Sequence, residues 1–183
     1  MMAGTMKICI GGFTSSGKTT LGEALSKELG IRHINPSYKN IVKNDEKKVI
    51  GLLDDLMSKK DRKVAEDFDA EVAKMSNEGD CVVSTWIGSW IVKDATARVW
   101  LNASQETRAT RRAKAKGMDT KEALEFIKAY DRKSADYFKG VYGIDVTDHS
   151  IFDMELNTEK LSINDMVGIV SLLAAQRDTK RFR

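Results

Sequence analysis

Apolar positions along this chain alternate between two spacings. Short apolar runs rich in β-favouring residues occupy 6–10, 31–35, 81–84, 97–101 and 151–156, and each reads as a strand. The third run follows a Glu-Gly-Asp turn and is the natural central strand. Between the runs the spacing changes to three and four. Leu21, Ala24, Leu25 and Leu29 mark a helix over 19–29 that Gly30 stops. Segments 38–60 and 61–77 are charged but keep an apolar face, with Val49, Leu52, Leu53 and Leu56 on the first. Ser104 caps a helix to about 116, which Gly117 ends; Asp119 and Thr120 begin another to about 141. An amphipathic helix over 164–176 closes the pattern. Strands alternating with helices predict an α/β fold, a five-stranded parallel sheet with helices on both faces.

One segment within this pattern carries chemistry. Gly12-Phe13-Thr14-Ser15-Ser16-Gly17-Lys18-Thr19 fits G-x-x-x-x-G-K-[ST] and lies between the first strand and the first helix. That context predicts a phosphate loop and, with it, a P-loop NTPase fold. Its glycines let backbone N–H groups converge on phosphate oxygens, and the helix N-terminus adds a favourable dipole. Residues 12–20, including Thr20, are expected to cradle a nucleoside triphosphate. Lys18 would reach its outer phosphates, and the Thr19 hydroxyl would ligate Mg²⁺.

Composition narrows the picture little. The 183 residues suit a single domain, and 31% are charged. No run approaches the roughly 20 apolar residues that cross a bilayer, and no secretory pattern opens the chain, so a cytoplasmic protein without membrane partners is expected. Cys9 and Cys81 lie in apolar runs and read as buried thiols. A formal net charge of +3 does not argue for nucleic acid. Oligomeric state is left at monomer or homodimer. The basic tail, 177–183, reads as frayed.

Three classes of protein share such a loop. A switch GTPase needs Asn-Lys-x-Asp, which is absent, and the sole Asp-x-x-Gly, at 165–168, falls inside the last helix. A molecular machine needs an acid at the end of the third strand, where Ser84 and Thr85 stand instead. A kinase needs cations over the transferring phosphoryl group, and the helix after the fourth strand supplies Arg108, Arg111, Arg112, Lys114 and Lys116. Guanidinium groups three and four apart share a helix face and can clamp phosphates together. The region 104–142 therefore reads as a kinase lid, and 36–78 as a helical insertion that binds the acceptor.

Beyond the loop, Trp90, Val99-Trp100-Leu101, the arginine helix, Tyr142-Gly143-Ile144-Asp145, Ser150-Ile151-Phe152-Asp153 and Leu156-Asn157-Thr158 resemble the archaeal cytidylate kinases over nearly the full length. These belong to the nucleoside monophosphate kinase group. The resemblance implies that Arg108 and Arg111 contact the transferring phosphates and that Lys160 and Leu161 pack the adenine of ATP. It also matches Arg132 to a further arginine behind the lid.

On the acceptor side the likeness fails. Where the family reads Glu-Gly-Arg after the third strand, this chain reads Ser84-Thr85-Trp86. Losing that guanidinium removes a charge-assisted contact of about 1.5–3 kcal/mol and adds apolar bulk. After the second strand the family's Ser-Ala-Gly-Asp gives way to Asn35-Pro36-Ser37, with Lys39 as the nearest cation, and only Asp69 survives of a pair of aspartates. Trp86 and Trp90, or else the core packing of both indoles, explain the apolar substitution. Trp100, His33 and His149 read as structural.

The expected activity is transfer of the γ-phosphoryl group of ATP, with Mg²⁺, to a small anionic acceptor. Lys18, Arg108 and Arg111 would be catalytic; Lys39, Asp69, Trp86, Trp90 and Arg132 would bind the acceptor. A non-nucleotide such as mevalonate 3-phosphate, the substrate of a cytidylate-kinase-like enzyme of thermoacidophilic archaea, suits this set. CMP or dCMP is the alternative acceptor. A non-catalytic nucleotide-binding regulator is the alternative class.

Overall fold

The computed structural model describes residues 5–36, 51 and 63–178. Strands β1 (Lys7–Gly12), β2 (Arg32–Ile34), β3 (Cys81–Ser84), β4 (Ala97–Asn102) and β5 (Met154–Asn157) form one sheet in the order β2-β3-β1-β4-β5. Every pairing is parallel. The helices are α1 (Lys18–Leu29), α2 (Lys63–Asn77), α3 (Gly88–Ile91), α4 (Gln105–Lys116), α5 (Thr120–Tyr142) and α6 (Ile163–Arg177). The predicted helix over 38–60 lies, apart from Gly51, outside the described residues.

Alternation along β1 divides the core. Ile8 and Ile10 turn to one face, where Leu21 and Leu25 of α1, Val170 of α6, and Val99 and Leu101 pack. Cys9 turns to the other, with Val72 of α2, Ile87, and Tyr137 and Phe138 of α5. Burying each large aliphatic side chain contributes about 1.5–3 kcal/mol, so this double-sided burial is what fixes β1 at the sheet centre. Both cysteines are buried thiols, as expected. No described helix is long and apolar enough to cross a membrane.

Local signals set the helix ends. Ser104 Oγ accepts the Thr107 N–H (3.2 Å), and Asp119 accepts from Lys121 and Glu122. Ser162 and Asp165 form a capping box on α6. Gly117 and Gly143 end α4 and α5 in the left-handed region. Two elements differ from expectation. The fifth strand begins at Met154 rather than 151, because Phe152 N–H donates to His149 O (3.0 Å) and closes a turn. The apolar side chains before it serve that turn: Phe152 meets Trp100 at 5.1 Å and Trp90 at 5.3 Å. The one-turn helix α3 was not anticipated; Arg98 holds its end by donating to the carbonyls of Ser89, Val92 and Lys93.

Register then places the site. Ile10 pairs with Ser84, so the residues after β3 lie beside the loop that leaves β1. On the other flank Thr158 N–H donates to Asn102 O (2.9 Å), bringing the β5–α6 loop alongside the start of the α4–α5 hairpin. The carboxyl ends of four strands thus surround one crevice.

Candidate active site

The loop from β1 to α1 takes the shape that phosphate binding requires. Gly12 has φ +146°, and a Cβ there would meet Ser16 Oγ at 2.6 Å and Leu101 O at 2.8 Å. Gly17, at φ +105°, would meet nothing within 4 Å, which leaves its backbone open to a ligand. Ser15 is the one non-glycine residue with positive φ among those described. Lys18 Nζ donates to the carbonyls of Gly12 (2.7 Å) and Phe13 (2.8 Å), spanning the loop. Above it lies a cavity of about 510 Å³ lined by Thr14, Ser15, Lys18, Thr19, Arg111 and Lys116, among others. A second, of about 350 Å³, shares Gly17, Thr20 and Arg111 with it and reaches Leu161.

The arginines of α4 take different positions. Arg111 lines both cavities and donates to Thr158 Oγ1 (2.8 Å) and Thr158 O (2.6 Å). Arg112 lines the larger cavity and lies 3.6 Å from the centre of the Phe126 ring. Arg108 is only 3% exposed and is absent from the lining. It donates to Asp131 Oδ2 (2.6 Å), Thr14 O (3.0 Å) and Ala103 O (3.2 Å), beneath the Phe13 ring at 5.3 Å. Asp131 Oδ1 in turn accepts the Thr14 N–H (3.3 Å). Burial pushes the Asp131 carboxyl above its ordinary range, and Arg108 opposes that push. Desolvating each ion costs several kcal/mol, so such a pair adds little net stability and chiefly fixes geometry. The guanidinium of Arg108, a residue expected on the phosphates, is enclosed between loop and hairpin.

The opposite flank of Lys18 is aromatic. Its Nζ lies 5.5 Å from the centre of the Trp86 ring. Trp86 also meets Phe13 edge-on at 5.5 Å, Phe138 at 5.7 Å and Tyr130 at 6.1 Å. Phe138 continues the wall to Tyr142, whose hydroxyl donates to Asp69 Oδ1 (3.1 Å). Burial raises the Asp69 carboxyl, and the Tyr142 hydroxyl partly offsets this. Trp90 packs on the same core cluster, and its ring meets Phe152 at 5.3 Å. Trp100 is core, at 1% exposure, with the His149 ring tilted against it at 4.2 Å.

Some expected residues are not brought to the crevice. Arg132 is exposed, while its neighbour Asp131 faces the loop. Lys160 is exposed and lines neither cavity, whereas Leu161 does. Lys39 lies outside the described residues. Conversely, the bonds of Asp131 to Arg108 and of Thr158 to Arg111 carry no local signal in the sequence.

Beneath the loop stands a polar line with no acid in it. Asn35 Nδ2 donates to Thr19 Oγ1 (3.2 Å), and His33 Nε2 is 2.7 Å from Ser84 Oγ. His33 packs over Gly22, where a Cβ would collide with its ring. Burial lowers the pKa of this imidazole, so it is neutral at pH 7. Among the described residues no cluster of His, Cys, Asp or Glu could by itself hold a metal. The crevice can therefore hold a polyphosphate between backbone amides and cations, with an aromatic cluster on the other side of Lys18.

Known proteins agree with this arrangement. The model of the cytidylate kinase-like family matches residues 7–160. A cytidylate kinase of Sulfurisphaera tokodaii is 32% identical over 90% of this chain and 93% of its own. One from Pyrococcus horikoshii is 28% identical over 89% and 85%. Among solved structures, a gluconokinase from Sinorhizobium meliloti superposes with a TM-score of 0.58 at 16% identity, covering 97% of this chain and 96% of its own, a likeness of fold.

Proposed function

The chain belongs to the cytidylate kinase-like family and is a small-molecule phosphotransferase; we propose that it transfers the γ-phosphoryl group of ATP to a small anionic acceptor other than a nucleotide. One observation carries the choice of acceptor. The indole of Trp86 stands beside Lys18, where the cytidylate kinases resembled here hold an arginine. An indole can neither donate a bidentate pair to a nucleotide phosphate nor replace that charge, but it can wall a short carbon body. Mevalonate 3-phosphate, with one phosphate, one carboxylate and a branched aliphatic skeleton, is the acceptor this wall suits. Lys39, outside the described residues, is the proposed cation for its anionic end.

Transfer itself needs position and charge. In a loose transition state, negative charge spreads over the phosphoryl oxygens, and Lys18 and Arg111 at the cavity are placed to neutralise it. The 350 Å³ cavity ending at Leu161 suits the nucleoside of ATP. Mg²⁺ fits the donor set: Thr19 Oγ1 accepts a hydrogen bond from Asn35 and keeps a lone pair, and phosphate oxygens would complete the ligands. When bound, the ion supplies charge neutralisation across the outer phosphates. Asp69, held by Tyr142, would orient the acceptor hydroxyl.

The test is ADP release from Mg-ATP with CMP, UMP, AMP, shikimate and mevalonate 3-phosphate offered separately. Turnover of mevalonate 3-phosphate with none of CMP is the expected result; robust turnover of CMP overturns it. CMP is the second reading, and the relatives named cytidylate kinase favour it.

A further inference from the structure

The Thr14 peptide is gripped from both sides. Its carbonyl accepts from Arg108 Nη1 (3.0 Å), and its N–H donates to Asp131 Oδ1 (3.3 Å). The two gripping groups are joined to each other at 2.6 Å. The result is a closed ring of hydrogen bonds running from α4 to the loop, from the loop to α5, and back to α4. Asp131 is 6% exposed and Arg108 3%, so water does not compete for these bonds. Phe13 lies over the guanidinium at 5.3 Å and separates it from Trp86.

Three of the five N–H donors of this guanidinium are already engaged by the protein. Its Nη1 is committed to Thr14 and Asp131, its Nε to Ala103 O at 3.2 Å. The carboxylate beside it also cancels the charge that a phosphate would feel. Arg111, one turn further along α4, donates instead to the hydroxyl and carbonyl of Thr158 and, at 3.5 Å, to the Ser16 carbonyl. Thr14 itself lines the larger cavity, so whatever fixes its peptide fixes the phosphate cradle.

We propose that Arg108 and Asp131 are positioning residues that set the phosphate loop through Thr14, leaving Arg111 and Lys18 to contact the phosphates. The base of the α4–α5 hairpin is then anchored to the loop. The inference rests on the reading of residues 12–20 as the donor site.

The consequence is a distinction between nucleotides. A residue that touches only the γ-phosphate matters for ATP and not for ADP, whereas a residue that shapes the cradle matters equally for both. The experiment is isothermal titration of the full-length protein with Mg-ATP and Mg-ADP. The variants are Arg108→Met, Arg108→Lys, Asp131→Asn and the double variant Arg108→Met/Asp131→Asn. Both single losses are expected to weaken ATP and ADP by the same factor, about tenfold or more, consistent with the loss of charged hydrogen bonds. The double variant should be no weaker than the worse single one, because one ring is broken only once. Arg108→Lys should recover part of the loss. If Arg108→Met weakens ATP alone while Asp131→Asn binds both nucleotides normally, Arg108 is a phosphate ligand and the proposal fails. Should either loss prevent folding, Arg108→Lys and Asp131→Glu carry the same decision through their ATP-to-ADP ratio. Failure of the wild-type protein to bind either nucleotide would instead overturn the donor-site reading beneath it.

Discussion

The two flanks of Lys18 are built from opposite materials. Toward the lid, the lysine shares a cavity with Arg111, Arg112 and Lys116, and loop hydroxyls complete the lining. Toward β3, the same ammonium meets the Trp86 face, and behind that indole come Phe13, Tyr130 and Phe138. A kinase needs its donor side cationic whatever the acceptor, because the charge of a polyphosphate does not vary. The acceptor side answers to a molecule that differs from enzyme to enzyme. On the proposed reading, Trp86 is the acceptor-side residue at which this chain departs from the family it resembles.

The strongest way to break the comparison is at its centre. Lys18→Ala should lower kcat/KM by about 10³-fold or more with every acceptor. ADP release across the acceptor panel checks it; a loss confined to one acceptor would mean that Lys18 serves only that flank. Next comes the donor side. Arg111→Ala removes a cavity-lining cation and its bonds to Thr158, and turnover should fall about 10²-fold. Unchanged turnover would shift the duty to Arg112 or Lys116.

The acceptor flank gives a smaller, qualitative change. Trp86→Arg should raise kcat/KM for CMP relative to mevalonate 3-phosphate by about tenfold, the worth of one charge-assisted contact, with KM for ATP unaltered. Weakened ATP binding would place Trp86 on the donor side and dissolve the contrast. The smallest effect concerns Asp69. Its carboxyl is raised in the folded protein by burial, so the stability it contributes is present below the ordinary value of 3.8 and is lost as pH rises through the folded value. Asp69→Asn should therefore melt slightly higher than the wild type at pH 7, the difference closing near pH 3. Thermal melts at both pH values test this, and a lower melting point at pH 7 would show that the charge is compensated.

What was readable from sequence follows the distance over which each feature is specified. The loop, with Gly12, Gly17 and Lys18 inside eight consecutive residues, is a local object, and so are the caps at Ser104, Gly117 and Asp119. Parallel sheet and two-faced core followed from alternation alone. The Arg108–Asp131 pair joins residues 23 apart, and Arg111 meets Thr158 across 47, so no spacing rule announces either. Arg108 and Arg111 look interchangeable in a helix pattern; only packing separates the enclosed one from the one that lines the cavity. The start of β5 was misjudged for a related reason. Ile151 and Phe152 are apolar because a turn packs against Trp100, and apolar character cannot by itself tell a turn residue from a strand residue.

The ammonium of Lys18 lies 5.5 Å from an indole centre and is tied to the carbonyls of Gly12 and Phe13. Phosphate oxygens compete for that same nitrogen, and a cation leaving or tightening against an indole face changes the light the indole emits. Nucleotide binding should therefore shift the emission of Trp86 against the background of Trp90 and Trp100, readable in a cuvette with no label attached.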